Sequence, residues 1–393
     1  MQVGPFQVRL RAGEQMLTVE DWRRLARRRL PRMVLEYVEN GADDERAMEQ
    51  NRVAFRRWAL RQRVLAGIPE VDLHTKVAGE QLALPVVLAP TGLVGAVHWQ
   101  GDCAAARAAE ASGTRLVLST GSSWSIEEVA AATAGDHWFQ LYPWGDRELI
   151  GRLLGRAKAA GYTALFVTAD VPVPGNRLGE RRHGMGIPPV MTPRRALEAA
   201  RHPRWAWHYL RHRRVSLRNL VEPGQRARML QTAQRQAVNM RPDLAWSDLE
   251  WMRAQWDGPL YLKGVLEAND ARRARDAGVD GVVVSNHGGR QLSPTCGTLD
   301  ALPAVVDAVG EELEVLLDGG VRTGADVVTA LALGARAVLI GRPYVYGLAG
   351  AGELGVRAVL EILEAEIRRC LHLMGVRSVA ELGRDHLAPV ERS

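Results

Sequence analysis

The eight residues Ser-Asn-His-Gly-Gly-Arg-Gln-Leu at 285–292 hold the densest usable chemistry in the chain. His287 stands just beyond an apolar run, where an imidazole can act as a general base with a pKa near working pH. Gly288 and Gly289 allow backbone to approach a ligand closely, and Arg290 offers a planar fork suited to a carboxylate. Asp170, which closes the run ALFVTAD, has the chemistry to hold His287 in one tautomer and to stabilise its protonated form. An N-cap or loop role explains an aspartate there equally well. A second constellation, DGGVRTG (318–324) followed by IGRP (340–343), supplies backbone through Gly319, Gly320, Gly324 and Gly341 and charge through Arg322 and Arg342. That pairing suits a phosphate-bearing ligand. Lys263 ends the run LYLKG in a chain with only two other lysines, Lys76 and Lys158, against 48 arginines. A compact ammonium beside a developing anion is the use this suggests. Tyr37 shares an apolar stripe with Met33, Val34 and Val38, which favours core packing, and Arg177 by its surroundings is one loop arginine among many.

Eight elements would have to bring these residues together. Short β-branched or Leu-rich runs occur at 84–90, 115–120, 137–142, 164–170, 259–264, 281–287, 314–320 and 336–342. Segments of helical period separate them, many closed by glycine. Eight runs apolar on both faces, each followed by a helix, predict a (β/α)8 TIM barrel, whose active site lies at the C-terminal ends of its strands. Thr91, Ser119, Thr120, Gln140, Tyr142, Thr168, Asp170, Lys263, His287, Asp318 and Arg342 all fall at or near such ends, and the two glycine-arginine stretches follow strands seven and eight, a common phosphate site. A Rossmann-like sheet would want GxGxxG after its first strand, where PTGLVGA stands instead. Residues 1–75 are expected to form an N-terminal helical cap, with a helix running from Pro31 at its first position to Gly41 just past its end. Residues 76–393 would be the barrel, with 171–258 as an inserted crossover too long for its helix alone.

Composition narrows the class. With 47% hydrophobic and 24% charged residues the chain is a globular one with a proper core. Cys103, Cys296 and Cys370 are widely spaced without CxxC, so neither a disulfide framework nor a metal site is expected. The longest apolar stretch, 82–97, is broken by Pro85, Pro90, Gly92 and Gly95, too short and interrupted to span a bilayer. No secretory signal is seen at the N-terminus, and a cytoplasmic setting is expected. The net charge of +6 has one source: residues 194–218 carry eight Arg against Glu198, leaving the rest of the chain at −1. A nucleic-acid surface would be broader or come with a recognisable module, so no nucleic-acid partner is expected. Arginines interleaved with Trp205, Trp207 and Tyr209 predict instead a peripheral contact of 194–218 with the inner face of the cell membrane.

SNHGGRQL, the LDGGVRTG–IGRP pair, APTG, WFQLY, TAD and LKG, in this order and spacing, resemble the FMN-dependent α-hydroxy-acid dehydrogenases and oxidases, over about residues 18 to 382. APTGLVGA, LSTGSSWSIEEVA and HPRW bring the chain closest to the mandelate dehydrogenase and flavin L-lactate dehydrogenase branch. The resemblance implies oxidation of an L-2-hydroxy acid to the 2-oxo acid with FMN as cofactor, in a homo-oligomer, a tetramer. His287 would be the base toward the substrate α-carbon, paired with Asp170. Arg177, Arg290 and Tyr37 would grip the substrate carboxylate and Tyr142 would contact its hydroxyl. Lys263 would lie against flavin N1/O2, with Pro90, Thr91, Gly92, Ser119, Gln140, Thr168 and Ser285 along the ring and ribityl chain. Asp318, Gly319, Gly320, Arg322, Gly341 and Arg342 would hold the ribityl hydroxyls and phosphate. A membrane quinone or similar compound would take the electrons; the alternative is an oxidase that uses oxygen and releases hydrogen peroxide. Departures from the family pattern are Ser293 where aspartate is common, LGERRHGMGI after Arg177, and Leu35 where an aromatic is frequent. Gly92 and Gly121 predict room for an aromatic or larger substrate over glycolate.

Overall fold

The computed structural model describes residues 2–3, 6–7, 15–185, 190–220 and 240–390. Its centre is a barrel of eight strands: β1 (Val86–Leu88), β2 (Val117–Ser119), β3 (His137–Leu141), β4 (Tyr162–Thr168), β5 (Leu260–Val265), β6 (Gly281–Val284), β7 (Glu314–Asp318) and β8 (Ala337–Ile340). Neighbours pair in parallel in the order β1-β8-β7-β6-β5-β4-β3-β2, and the parallel bridge between Leu88 and Leu116 closes the ring. This is the (β/α)8 barrel expected from the eight runs. Their Val- and Leu-rich character follows from burial on both faces, inward into the barrel and outward under the helices.

The N-terminal end of the barrel is sealed by the hairpin Thr75–Val77/Glu80–Leu82. Val77, Ala78 and Leu82 join the inward-facing Val87, Trp138, Phe166, Tyr261 and Leu316 in one buried cluster. The Tyr261 phenol, stacked at 4.6 Å on Phe166, donates to Glu314 Oε2 (2.6 Å) and accepts from the Ala78 amide (2.9 Å), so the plug carries no stranded hydroxyl. With that end filled, the opposite rim is left for a site.

Three helices precede the barrel: α1 (Val19–Arg29), α2 (Arg32–Glu39) and α3 (Arg46–Val53); α2 and α3 cap that rim, through Tyr37 and Val38 and through the Asn51–Asn286 pair, while α1 packs along the helix Arg342–Ala351. Thr18 and Asp21 form a capping box at the start of α1. Trp22 packs on Gly350, where a Cβ would come within 2.6 Å of the indole. The limits of α2 differ by a residue from those the sequence predicts. Pro31 is the N-cap with extended backbone rather than the first helical residue, and the helix ends with Asn40 as C-cap. Gly41 serves proximity instead of a left-handed stop: a Cβ there would lie 2.9 Å from the Gly289 carbonyl. The crossover from β4 to β5 carries the helices Leu178–His183, Pro193–Ala200, Pro203–His212 and Trp246–Gln255.

Candidate active site

A cavity of about 790 Å³ opens at the C-terminal ends of the strands, under the cap. Of the residues singled out above, Tyr37, Pro90, Thr91, Gly92, Tyr142, Thr168, Arg177, Lys263, His287, Arg290, Asp318, Gly319, Gly320, Arg322, Gly341 and Arg342 line it. Ser119, Gln140, Asp170 and Ser285 do not; each stands one hydrogen bond behind the lining or two. Ser119 Oγ donates to Gln140 Oε1 (3.0 Å), and Gln140 Nε2 to Thr168 Oγ1 (2.9 Å).

His287 occupies the left-handed region at φ 59°, and Gly288 and Gly289 follow at 65° and 75°. A histidine held there costs about 1–3 kcal/mol. The turn is pinned by its neighbours: the His287 amide donates to Ser285 Oγ (3.0 Å) and the Gly289 amide to Asn286 Oδ1 (3.0 Å). A Cβ on Gly289 would lie 2.5 Å from the Met48 amide nitrogen of α3, so only glycine lets cap and loop meet.

So placed, the ring of His287 bridges two groups. Nδ1 lies 3.0 Å from Asp170 Oδ1 and Nε2 lies 3.2 Å from the Tyr142 hydroxyl. Burial pulls the His287 pKa below the ordinary histidine range despite the upward pull of Asp170, and Lys263 and Arg177 add to the lowering. Burial works the other way on Asp170, but His287 and Lys263 outweigh it and hold the carboxylate below its usual value. The pair is therefore a neutral imidazole against a charged carboxylate. With Nδ1–H donated to Asp170, the Nε2 lone pair is left toward the cavity, which is the tautomer a base needs. Burial raises the Tyr142 phenol, so it stays protonated.

Two guanidiniums stand at the mouth. Arg290 donates to the carbonyls of Tyr37 (2.9 Å) and Asn40 (2.8 Å) and to Glu180 Oε1 (2.7 Å), and lies 5.4 Å above the Tyr37 ring. Arg177 donates to the Arg290 carbonyl and to Gln291 Oε1, both at 3.3 Å, and lies 3.6 Å from the same Glu180 oxygen. Two cations share one carboxylate, which among the described residues leaves one positive charge uncompensated in a concave, largely buried place. Tyr37 is packed as its stripe suggested, yet its hydroxyl reaches the cavity wall and donates to the Gly92 carbonyl (2.8 Å).

Deeper in, Lys263 Nζ pairs with Asp318 Oδ2 (2.5 Å) and donates to Ser285 Oγ (2.7 Å). Among the described residues Asp318 Oδ1 is buried without a partner. Arg342 donates to the carbonyls of Val38, Gly288 and Asn40, and its pKa is pushed down to about 9 by burial and then by Arg290. Burial lowers Arg322 too. Among the described residues neither forms an ion pair with a carboxylate.

FMN fits this lining on three observations. A phosphate monoester carries about 1.5 to 2 negative charges at neutral pH, matching two unpaired arginines. The stranded Asp318 oxygen is a ready acceptor for a ribityl hydroxyl. Gly319 (φ 95°) and Gly320 (φ 86°) leave backbone open, and a Cβ on Gly320 would collide with the Asn51 carbonyl.

Three contributors escape a sequence reading. Glu180 is 7% exposed and ties Arg177 to Arg290; its signal was a lone acid in a basic stretch. Gln291 clamps the crossover through the carbonyls of Asp170 (2.9 Å) and Val173 (3.0 Å). Asn51 exchanges two 2.8 Å amide hydrogen bonds with Asn286, and nothing in its neighbourhood marks it.

Comparison with known proteins agrees with this geometry. The model of the family described as FMN-dependent dehydrogenase matches residues 26–389. An L-lactate dehydrogenase of Caulobacter vibrioides is 48% identical over 370 residues, covering 94% of this chain and 96% of that protein. One from Pseudomonas aeruginosa is 46% identical over 369 residues, 93% of this chain and 97% of its own. Among solved structures, the monotopic membrane protein (S)-mandelate dehydrogenase superposes with a TM-score of 0.92 at 40% identity, over 96% of this chain and all of that one.

Proposed function

Because the chain belongs to the family of FMN-dependent dehydrogenases, we propose that it oxidises an L-2-hydroxy acid of the mandelate or lactate type and passes the electrons to a quinone. The observation that carries the chemistry is the charge layout of one cavity among the described residues: a positive charge in excess at the mouth, a neutral histidine on a charged aspartate beside it, and two arginines without a carboxylate partner at the far end.

Arg177 and Arg290 take the substrate carboxylate, and Tyr37 borders the same mouth. That contact fixes orientation and lowers the cost of negative charge developing at the α-carbon. His287 Nε2 receives the proton, Asp170 stabilises the resulting imidazolium, and the Tyr142 hydroxyl contacts the substrate hydroxyl. Lys263, Thr91, Gly92, Thr168 and Pro90 hold the flavin ring, while Asp318, Arg322, Arg342 and the glycines beside them hold the ribityl phosphate. Ser119, Gln140 and Ser285 act from behind by fixing Thr168 and Lys263. Bound FMN supplies the two-electron acceptor for the α-carbon.

A quinone acceptor is supported by residues 194–218. The helices Pro193–Ala200 and Pro203–His212 expose Leu197, Trp207 and Leu210, each more than 60% accessible, beside Arg194, Arg204 and Arg211. Cations interleaved with exposed apolar side chains suit a reversible contact with anionic lipid. Among the described residues no helix is long and apolar enough to cross a membrane. The proposal is completed by a cytoplasmic tetramer, peripheral to the inner face of the membrane.

The test is the purified protein itself: yellow, bleaching anaerobically with (S)-mandelate or L-lactate, and reoxidised faster by a quinone analogue than by oxygen. Failure to take up FMN, or flavin that neither substrate bleaches, overturns the reading. Rapid peroxide formation would make it an oxidase. Co-sedimentation with anionic vesicles that is lost at high salt tests the membrane contact, and light scattering tests the tetramer.

A further inference from the structure

Beside the catalytic cavity lies a second one of about 500 Å³, and Val97 lines both. Its walls come from the C-terminal end of α1, the loop Gly95–Trp99 after β1, and the helix Pro203–His212. No charged group of the catalytic set borders it.

Five arginines line it: Arg28, Arg29, Arg201, Arg204 and Arg214. Among the described residues Arg29, Arg201 and Arg204 form no ion pair with a carboxylate. Burial, and then repulsion from Arg204, pulls Arg29 below the ordinary arginine range. Neighbouring acids are already engaged. Glu198 accepts from the Arg32 amide (2.9 Å) and lies 3.3 Å from His202 Nε2, while Glu128 pairs with Arg214 (3.1 Å). Among the described residues His208 Nδ1 is buried without a hydrogen-bond partner. His98 and His202 also line it, and part of the remaining wall is flat and apolar. Trp205 stacks on Tyr209 at 5.0 Å and is fixed by its indole N–H donating to the Ala96 carbonyl (2.7 Å), with Leu30 and Val97 nearby.

We propose that this cavity is a second binding site, for a phosphate ester whose charge meets Arg29, Arg201 and Arg204 and whose apolar body lies against Trp205 and Tyr209. Guanidinium forks match phosphate oxygens in pairs, and an anion would relieve the repulsion between Arg29 and Arg204. Both a lipid headgroup and a soluble phosphate ester carry this chemistry. The inference is independent of the catalytic reading; it shares Arg201 and Arg204 with the segment 194–218 proposed to meet lipid, and monomeric probes separate binding in the cavity from contact with a vesicle.

The FMN-loaded enzyme, whose flavin cavity is filled, is titrated calorimetrically with sn-glycerol 3-phosphate and with monomeric dihexanoyl phosphatidylglycerol, using glycerol as blank. One equivalent of at least one anionic probe should bind, and Arg29→Gln or Arg204→Gln should weaken it about tenfold or more, the loss of one charge-assisted contact. The rate of flavin bleaching by substrate should stay as in the parent. Binding of the lipid alone assigns a headgroup; binding of both extends the site to soluble esters. Should Arg29→Gln fail to fold, Arg204→Gln on the exposed helix gives the same readout. No saturable binding of either probe, or variants that bind as tightly as the parent, overturns the proposal.

Discussion

Replacing Asp170 with Asn isolates one charge. The amide oxygen can still accept from His287 Nδ1, now at 3.0 Å from Asp170 Oδ1, and the new NH2 falls where Oδ2 has no partner among the described residues. What disappears is the negative charge that stabilises the protonated ring. With charge centres about 5 Å apart and an effective dielectric near 20, that charge is worth about 3 kcal/mol, or about two orders of magnitude in rate. The assay is anaerobic stopped-flow bleaching of the flavin under saturating substrate, with the resting flavin spectrum as control for an intact cavity. The pH profile gives a second readout. Asp170 raises the His287 pKa against the lowering by burial, Lys263 and Arg177, so its loss lowers that pKa further. The proposed base works as the neutral ring, so the acid limb of kcat/KM should move to lower pH even as the plateau drops. Bleaching within about threefold of the parent, well inside the two decades expected, together with an unmoved acid limb, would refute the assignment of base and partner.

Three further changes probe other parts of the same cavity. In Gly92→Ala the new methyl would lie 3.3 Å from the Gly121 carbonyl and 3.4 Å from the Tyr37 hydroxyl; kcat/KM for (S)-mandelate should fall by about tenfold and that for L-lactate by less, read from a substrate panel. Arg342→Met removes a cation from the phosphate end and should weaken FMN reconstitution by about ten- to a hundredfold, measured by the recovery of flavin fluorescence, whereas Arg342→Lys should retain part of the affinity. Gly281→Ala places a methyl 2.3 Å from the Tyr261 ring and 2.6 Å from the Glu314 carbonyl; the crowded barrel should lose about 1–3 kcal/mol of stability, visible in denaturant melts with little change in the catalytic rate per bound flavin.

The barrel was legible because its signal is local. A strand buried on both faces has to be an apolar run, and a run at the rim has to end in something polar, so eight such runs locate a ring of side chains without any knowledge of their contacts. The motif at 285–292 was legible for a related reason: a turn with three consecutive left-handed residues demands glycines, and glycines are visible in a sequence. Helix α2 shows where local signals give out. Gly41 reads as a left-handed stop, yet the position needs glycine because the Gly289 carbonyl passes beside it, a contact set by a loop some 250 residues away in sequence.

The residues that stayed hidden act at long range and on other residues rather than on a ligand. Asn51 meets Asn286 through amides that any surface asparagine carries. Glu180 looks like one acid among arginines, yet it sets the balance at the mouth. Without it, Arg177 and Arg290 would repel each other in a buried space; with a second acid beside it, no charge would remain for a substrate carboxylate. One carboxylate between two guanidiniums holds both in place and leaves a single positive charge among the described residues, and that count, rather than either arginine alone, is what would suit the monocarboxylate proposed as substrate.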